Sequence, residues 1–265
     1  MNIYISSSVR ESIKDTVDLA NELGANLEIC KFADSKILDG NLEAEVKECL
    51  EALEGFNGKL SLHGTFFDLN PISKDSRVAD ITTYRYNQSL NIAKTLNAKT
   101  VVFHTGYNGQ VKSKIYHDLF VENQILFWTD FIKRFEDAGI TAVLENTYEN
   151  STEVITSAIN HVNSKHLKAC IDTGHVNINS SLSVSDWIDA LGENLHHMHL
   201  HNNFGDFDDH NSLLAGTLDF KKILSHLKAS KLSPNLVIEV FNEKPAMESF
   251  EFIKNQLSLI SSSKK

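Results

Sequence analysis

Cysteine is scarce in this 265-residue chain: Cys30, Cys49 and Cys170 are odd in number, widely separated and without a CxxC pair. That argues against a disulfide framework and against a thiolate zinc site, and it fits a reducing, cytoplasmic setting. Proline is scarcer for its length, with Pro71, Pro234 and Pro245 all in expected loops or at helix starts. No proline-rich linker or low-complexity segment divides the chain, apart from a short tail over 261–265, so a single domain over 1–265 is expected. No apolar run approaches the length of a membrane span, and Met1-Asn2-Ile3-Tyr4-Ile5-Ser6 enters a strand-like run without the basic and apolar parts of a signal peptide. Positive charge is in deficit, with 25 Lys and Arg against 35 Asp and Glu for a formal net charge of −10. Such a balance disfavours nonspecific binding to nucleic acid or an anionic membrane.

What is present is a regular alternation. Short apolar runs at 2–6, 26–30, 59–63, 100–104, 141–145, 169–172, 196–201 and 236–240 read as strands. Several are β-branched and show little alternation, as buried parallel strands do. Between them, 8–23, 43–53, 77–96, 116–138, 152–162, 184–191, 220–229 and 246–260 read as helices. Ser151-Thr152-Glu153 marks one helix start, and Gly24 and Gly139 mark two helix ends. About eight strand–helix units in a chain of this length predict an α/β fold, a (β/α)₈ TIM barrel. An open doubly wound sheet is the alternative, but the first turn, Ser6-Ser7-Ser8-Val9-Arg10, has no glycine-rich phosphate fingerprint.

Strand after strand then ends in a side chain able to bind metal. His63, His104, Glu145, Asp172 with His175, His199 with His201, and Glu239 close successive runs, and Asp208-Asp209-His210 follows the seventh. In a barrel these ends share one rim, where catalytic residues gather. A single histidine there is ordinarily a hydrogen-bonded rim residue. Carboxylates ending apolar strands, such as Glu145 and Glu239, need a cation or strong hydrogen bonds. Clustered with Asp172 they repel one another, and a divalent ion is the simplest remedy. Imidazole with carboxylate and no thiolate suits Zn²⁺ or Mn²⁺, with Co²⁺ and Fe²⁺ also admissible, better than Ca²⁺. His197, His199 and His201 alternate onto one face at different depths, so one or two of them reach the rim, while His196 points to the helices. Phe66, Phe67, Tyr107, Tyr148, Phe204 and Phe207 lie in expected rim loops, where they either stack on a ligand or pack the loops.

The ordered series Leu62-His63-Gly64, Phe103-His104-Thr105-Gly106, Leu144-Glu145-Asn146-Thr147, Asp172-Thr173-Gly174-His175, His199-Leu200-His201-Asn202-Asn203, Asp208-Asp209-His210 and Ile238-Glu239-Val240 resembles the xylose isomerase-like barrel superfamily. That superfamily holds sugar isomerases and epimerases together with the endonuclease IV enzymes, and the resemblance covers nearly the whole chain. It implies a metal site of Glu145, Asp172, His199 and Glu239. His63, His104, His175, Asp208 and His210 match the further ligands that give endonuclease IV its three zinc ions.

Two mechanisms follow. The first is an isomerase or epimerase of a sugar or sugar-like ketone or polyol, proceeding through an enediolate. Glu145 and Glu239 are its catalytic acids and bases, and His63, His104, His175, His201 and Asn146 are its substrate contacts. The second is an endonuclease IV-like phosphodiesterase. Charge favours the first: only Arg10, Arg77, Arg85 and Arg134 are present, and the loop Asn203-Phe204-Gly205-Asp206-Phe207-Asp208-Asp209 is acidic where a phosphate would pass. The best-known subfamilies do not match fully. Ser151 and Gly205 stand where ketose 3-epimerases have Glu and Arg, and Asn146-Thr147-Tyr148 stands where xylose isomerases have Lys. Dimers and tetramers are common among the resembling enzymes.

Overall fold

Each short apolar run forms a parallel strand, and eight of them close on themselves. In the computed structural model, which describes residues 1–262, β1 (Ile3–Ser6) is followed by α1 (Ile13–Leu23) and β2 (Asn26–Ile29). Then come α2 (Ser35–Asp39), α3 (Leu42–Ala52), β3 (Leu60–His63), α4 (Ser76–Leu96) and β4 (Thr100–His104). The chain continues through α5 (Lys114–Phe131), α6 (Lys133–Ala138), β5 (Thr141–Glu145), α7 (Glu153–Val162) and β6 (Leu167–Asp172). It closes with α8 (Thr173–Asn179), α9 (Val184–Leu191), β7 (Leu195–Leu200), α10 (Phe220–Ala229), β8 (Asn235–Ile238) and α11 (Glu243–Ser262). The strands pair in chain order and β8 returns to β1, making a closed barrel with helices between the strands. Among the described residues no helix is long and apolar enough to cross a membrane.

Local chemistry sets the helix ends. Ser12, Asn41, Asp75, Ser113 and Asp219 each accept a hydrogen bond from a first-turn N–H, and Ser183 with Asp186 forms a capping box. Gly24 and Gly139 end helices in the left-handed conformation, as do Asn97 and Asn163. Several expectations shift. The helix expected from residue 8 starts at Ile13, after a 3₁₀ turn at Ser7–Val9, because Ser12 supplies its cap. Thr152 begins α7 without a side-chain cap. The helix expected over 116–138 breaks at Ile132 with no proline or glycine to mark it, as Trp128, Phe131, Ile132 and Phe135 are all buried there. Two short helices, α2 and α8, were not expected. Of the tail over 261–265, Ser261 and Ser262 continue α11, and 263–265 lie outside the described residues.

The apolar core sits between the barrel and its helices. Ile5, Leu27, Leu62, Phe103, Leu144, Ile171, Met198 and Ile238 face outward from the strands into it, with Trp128 and Trp187 fully buried. Inside the barrel the composition changes. Val102, Val143 and Cys170 form a separate small apolar cluster. Around it the alternation places Glu28, Ser61, His63, Glu145, Asp172, His197 and His199 inward, each of them buried. Branched aliphatic side chains ordinarily fill this space. Here ionisable groups fill it, and they must satisfy one another.

Candidate metal centre

The inward-facing groups gather at the C-terminal end of the strands. Glu145 ends β5 and is 1% exposed. Its Oε2 faces His63 Nε2 at 3.4 Å and His104 Nε2 at 3.3 Å, and its Oε1 lies 3.1 Å from His199 Nδ1. Glu239 stands one residue past β8, held to the barrel by its N–H donating to Leu200 at 3.1 Å. Its carboxylate reaches the same His199 Nδ1 at 3.0 Å. Asp172 ends β6 and also caps α8 by accepting from the His175 N–H at 2.7 Å. His175 therefore lies on a helix rather than at a strand end. Donor atoms of Glu145, Asp172, His199 and Glu239 all approach within 4.8 Å of one another. The loop after β7 brings Asp208 Oδ2 to 3.2 Å from both His175 Nε2 and His210 Nε2. The nine rim residues thus adjoin one another: Glu145 meets His63, His104 and His199, and His175 links Asp172 to Asp208 and through it to His210.

Ring orientation tests whether these groups fit a metal. His63 Nδ1 donates to the Gly64 carbonyl at 2.9 Å, His175 Nδ1 to the Asn146 carbonyl at 2.9 Å, and His210 Nδ1 to the Glu239 carbonyl at 2.8 Å. A carbonyl only accepts, so each Nδ1 carries the proton, and Nε2 of the neutral ring is a bare acceptor turned toward a carboxylate. Two acceptors facing each other need a cation between them. An ion with bonds of about 2.0–2.1 Å in tetrahedral geometry sets neighbouring donors about 3.3–3.4 Å apart. The His63, His104, His175 and His210 pairs, at 3.2–3.4 Å, match that edge. Glu145 Oε2 is buried without a hydrogen-bond partner. The donor set fits one or more divalent ions held by imidazole and carboxylate.

Without metal, protons take the cation's place. Burial works against charging His175 and His199, but the neighbouring carboxylates outweigh it and hold both well above the ordinary histidine range. His210 is raised to about 9 against its burial, chiefly by Asp208. Glu145, Asp172, Glu239 and Asp208 are correspondingly held low by these histidines, again against burial. His104 is lowered by burial.

Two expected substrate contacts are otherwise committed. The Asn146 amide donates to the Asp172 carbonyl at 3.1 Å and accepts from the Asp172 N–H at 2.9 Å. His201 Nε2 is 3.0 Å from Asp172 Oδ1 and its ring is stacked on His210. Neither lines the cavity, which has a volume of about 280 Å³ and is bounded by His63, Phe66, His104, Glu145, His175 and Glu239 with their neighbours. Phe66 stacks on His104, and Phe241 stacks on His210. Of the other rim aromatics, Phe67, Tyr148, Phe204 and Phe207 are exposed, while Tyr107 packs on Tyr116 and Phe120. His196 faces outward to the Thr100 hydroxyl at 3.2 Å.

Sequence reasoning missed Glu28. It is fully buried in the middle of β2, between Leu27 and Ile29. Its Oε2 accepts from the Ser61 hydroxyl at 2.8 Å and lies 2.8 Å from His197 Nε2, and its Oε1 lies 2.9 Å from His199 Nε2. A carboxylate flanked by apolar strand residues was the available signal, the same one that marks Glu145.

A closed barrel with this donor set at its mouth defines a class, and the comparison of sequences places the chain within it. The chain belongs to the xylose isomerase-like TIM barrel family, which matches residues 17–256. The uncharacterized protein MJ1311 of Methanocaldococcus jannaschii is 26% identical over 222 residues, covering 81% of this chain and 75% of that protein. A solved structure of a D-tagatose 3-epimerase-like protein superposes with a TM-score of 0.85 at 24% identity, over 100% of both chains. The TTHB071 protein from Thermus thermophilus, soaked with ZnCl₂, gives a TM-score of 0.76 at 23% identity, over 97% of this chain and 98% of that one. At these identities the structural likeness establishes the shared fold.

Proposed function

We propose that this protein is a divalent-metal-dependent isomerase or epimerase acting on a small sugar or sugar-like ketone or polyol, by proton transfer through an enediolate. The observation that carries the reading is the meeting of Glu145 and Glu239 at His199 Nδ1, 3.1 and 3.0 Å away, from well-separated parts of the barrel beside a small-molecule-sized cavity. A bound Zn²⁺ or Mn²⁺ would be held by Glu145, Asp172, His199 and Glu239, and would supply the charge that polarises the substrate carbonyl. The zinc soak of TTHB071 and the epimerase named in the D-tagatose 3-epimerase-like structure agree with this choice.

The chain's own groups then divide the work. Both carboxylates are held low, so either can take the proton beside the carbonyl. That same group, now protonated, can return it to the neighbouring carbon in an isomerisation, whereas return to the opposite face in an epimerisation requires the other carboxylate to enter the step protonated. His175 lines the cavity beside the two carboxylates, with Nδ1 held by the Asn146 carbonyl and Nε2 facing Asp208. Phe66 and Phe241, stacked on His104 and His210, narrow the mouth and limit water at the reacting carbon. Incubating metal-replete protein with a panel of ketoses in D₂O should place deuterium on the carbon next to the carbonyl. Unlabelled sugar across a broad panel overturns the reading.

One observation favours a second reading, an endonuclease IV-like phosphodiesterase: all nine donor positions are filled and adjoin one another. Against it, Arg10 is committed to Glu243, Arg85 to Asp39 and Arg134 to Asn87, which leaves little arginine for a phosphate backbone. Cleavage of an abasic-site duplex at low salt, with three metal ions per chain, would reverse the order. One ion per chain and no cleavage would support the isomerase.

A further inference from the structure

At three of the rim histidines the partner that fixes the ring is a backbone carbonyl: Gly64 for His63, Asn146 for His175 and Glu239 for His210. His199 differs. It stands on β7 with both ring nitrogens turned to carboxylates, Nδ1 to Glu145 and Glu239 and Nε2 to Glu28. His199 Nε2 and Glu28 Oε1 are both buried, have no other hydrogen-bond partner, and face each other at 2.9 Å. Across the barrel interior Glu28 is itself fixed by the Ser61 hydroxyl and His197, and the latter is backed by Asn235 at 3.4 Å.

We infer that Glu28 is the positioning residue of the metal centre: its carboxylate holds the proton of His199 on Nε2, so that Nδ1 is the nitrogen offered to the ion. Its place separates this role from that of a rim ligand: Glu28 is fully buried in mid-strand and does not line the cavity. Glu28 stands 2.8 and 2.9 Å from the two histidine nitrogens, a direct charge-assisted contact. The outer rim pairs stand at 3.2–3.4 Å, and the two carboxylates at His199 Nδ1 at 3.1 and 3.0 Å. A ligand histidine ordinarily gives its other N–H to a carboxylate or carbonyl, which selects the tautomer and raises ligand basicity. At His63, His175 and His210 no single side-chain substitution removes that acceptor. At His199 one does.

The inference rests on the metal-binding part of the function proposed above and is independent of its substrate. The test is made on purified zinc-loaded protein. Nitrogen-15 spectra of the histidine rings should show His199 with its proton on Nε2 and no proton on Nδ1. Zinc affinity, from competition with a chelating dye, should fall about 10- to 100-fold in Glu28→Gln, measured on variant that is folded before zinc is added. A His199 ring with Nε2 unprotonated overturns the inference, and so does wild-type zinc affinity in Glu28→Gln. Where Glu28→Gln does not fold, the wild-type ring spectrum still decides between the two outcomes. Wild-type protein that takes up no zinc defeats the centre as a whole. Proton exchange into a ketose is a separate measurement, so failure of the isomerase reading leaves this result intact.

Discussion

Raising the pH of the metal-free protein should destabilise it, and metal should abolish that loss. His210 is raised to about 9 in the folded chain and titrates near 6.5 when unfolded. A group raised on folding contributes fully below its unfolded pKa and loses that contribution as pH rises through the folded one. The window for His210 is therefore about pH 6.5 to 9. The rise corresponds to about 3.4 kcal/mol. Asp208, its partner, is 43% exposed, and solvent screening brings the figure to about 2 kcal/mol. His63, His175 and His199 are also raised and add loss of the same sign. His104 and His196 are lowered, so their effect has the opposite sign, lies mainly below pH 6.5 and fades over the first unit of this window. Glu145, Asp172 and Asp208 are lowered, so their contribution is present above about pH 4 and is lost only as pH falls further. Zinc held at the proposed centre would reverse the trend, because it would bind only the deprotonated rings of the folded state. Urea unfolding in a chelator, read by the buried Trp128 and Trp187, should show stability falling from pH 6.5 to 9. With excess zinc, stability should hold or rise through pH 8. A metal-free protein equally stable or more stable at pH 9 would refute the reasoning.

Other substitutions probe single contacts. Glu145→Gln removes an acid shared by the His63–His104 group and the His199 group, so elemental analysis should find metal content reduced, with solvent exchange lost. Full metal content in that variant would contradict the shared role. Glu239→Gln leaves His63, His104 and Glu145 untouched, and should lower deuterium incorporation by about 10²–10⁴ while part of the metal remains. Gly174→Ala drives a Cβ into the His201 ring, and urea titration should show a loss of about 1–3 kcal/mol. An unchanged midpoint would mean that α8 can move away from β7.

The barrel was legible because its strands are short apolar runs spaced by amphipathic helices, a pattern that few architectures share. Strand ends were less so. β7 stops at Leu200 and β8 at Ile238, so His201 and Glu239 lie just beyond the pairing that their apolar runs suggest. Helix α8 escaped notice because its seven residues open on Thr173-Gly174-His175, poor helix formers started by the Asp172 cap. His63, His104, Glu145 and Asp172 could be read from their positions at strand ends, whereas His175 sits on α8 and Asp208 and His210 in the loop after β7. Glu28 could not be read that way, since it occupies the middle of a strand and serves the site from within the barrel. Nor did the chain order reveal that Asn146 and His201 would be spent on Asp172, because that depends on how β5, β6 and β7 stand side by side.

The mutual neutralisation of acids and imidazoles inside the barrel has a consequence for how the protein comes into being. A cavity lined by unopposed carboxylates would spring apart until its ion arrived, making translation and metal supply a single event. Here protons serve as placeholders, so the polypeptide can complete its architecture with no ion present, and a cation that binds would exchange for them afterwards. The choice of such an ion would then fall to what the surroundings offer a finished receptacle, at a moment separate from synthesis.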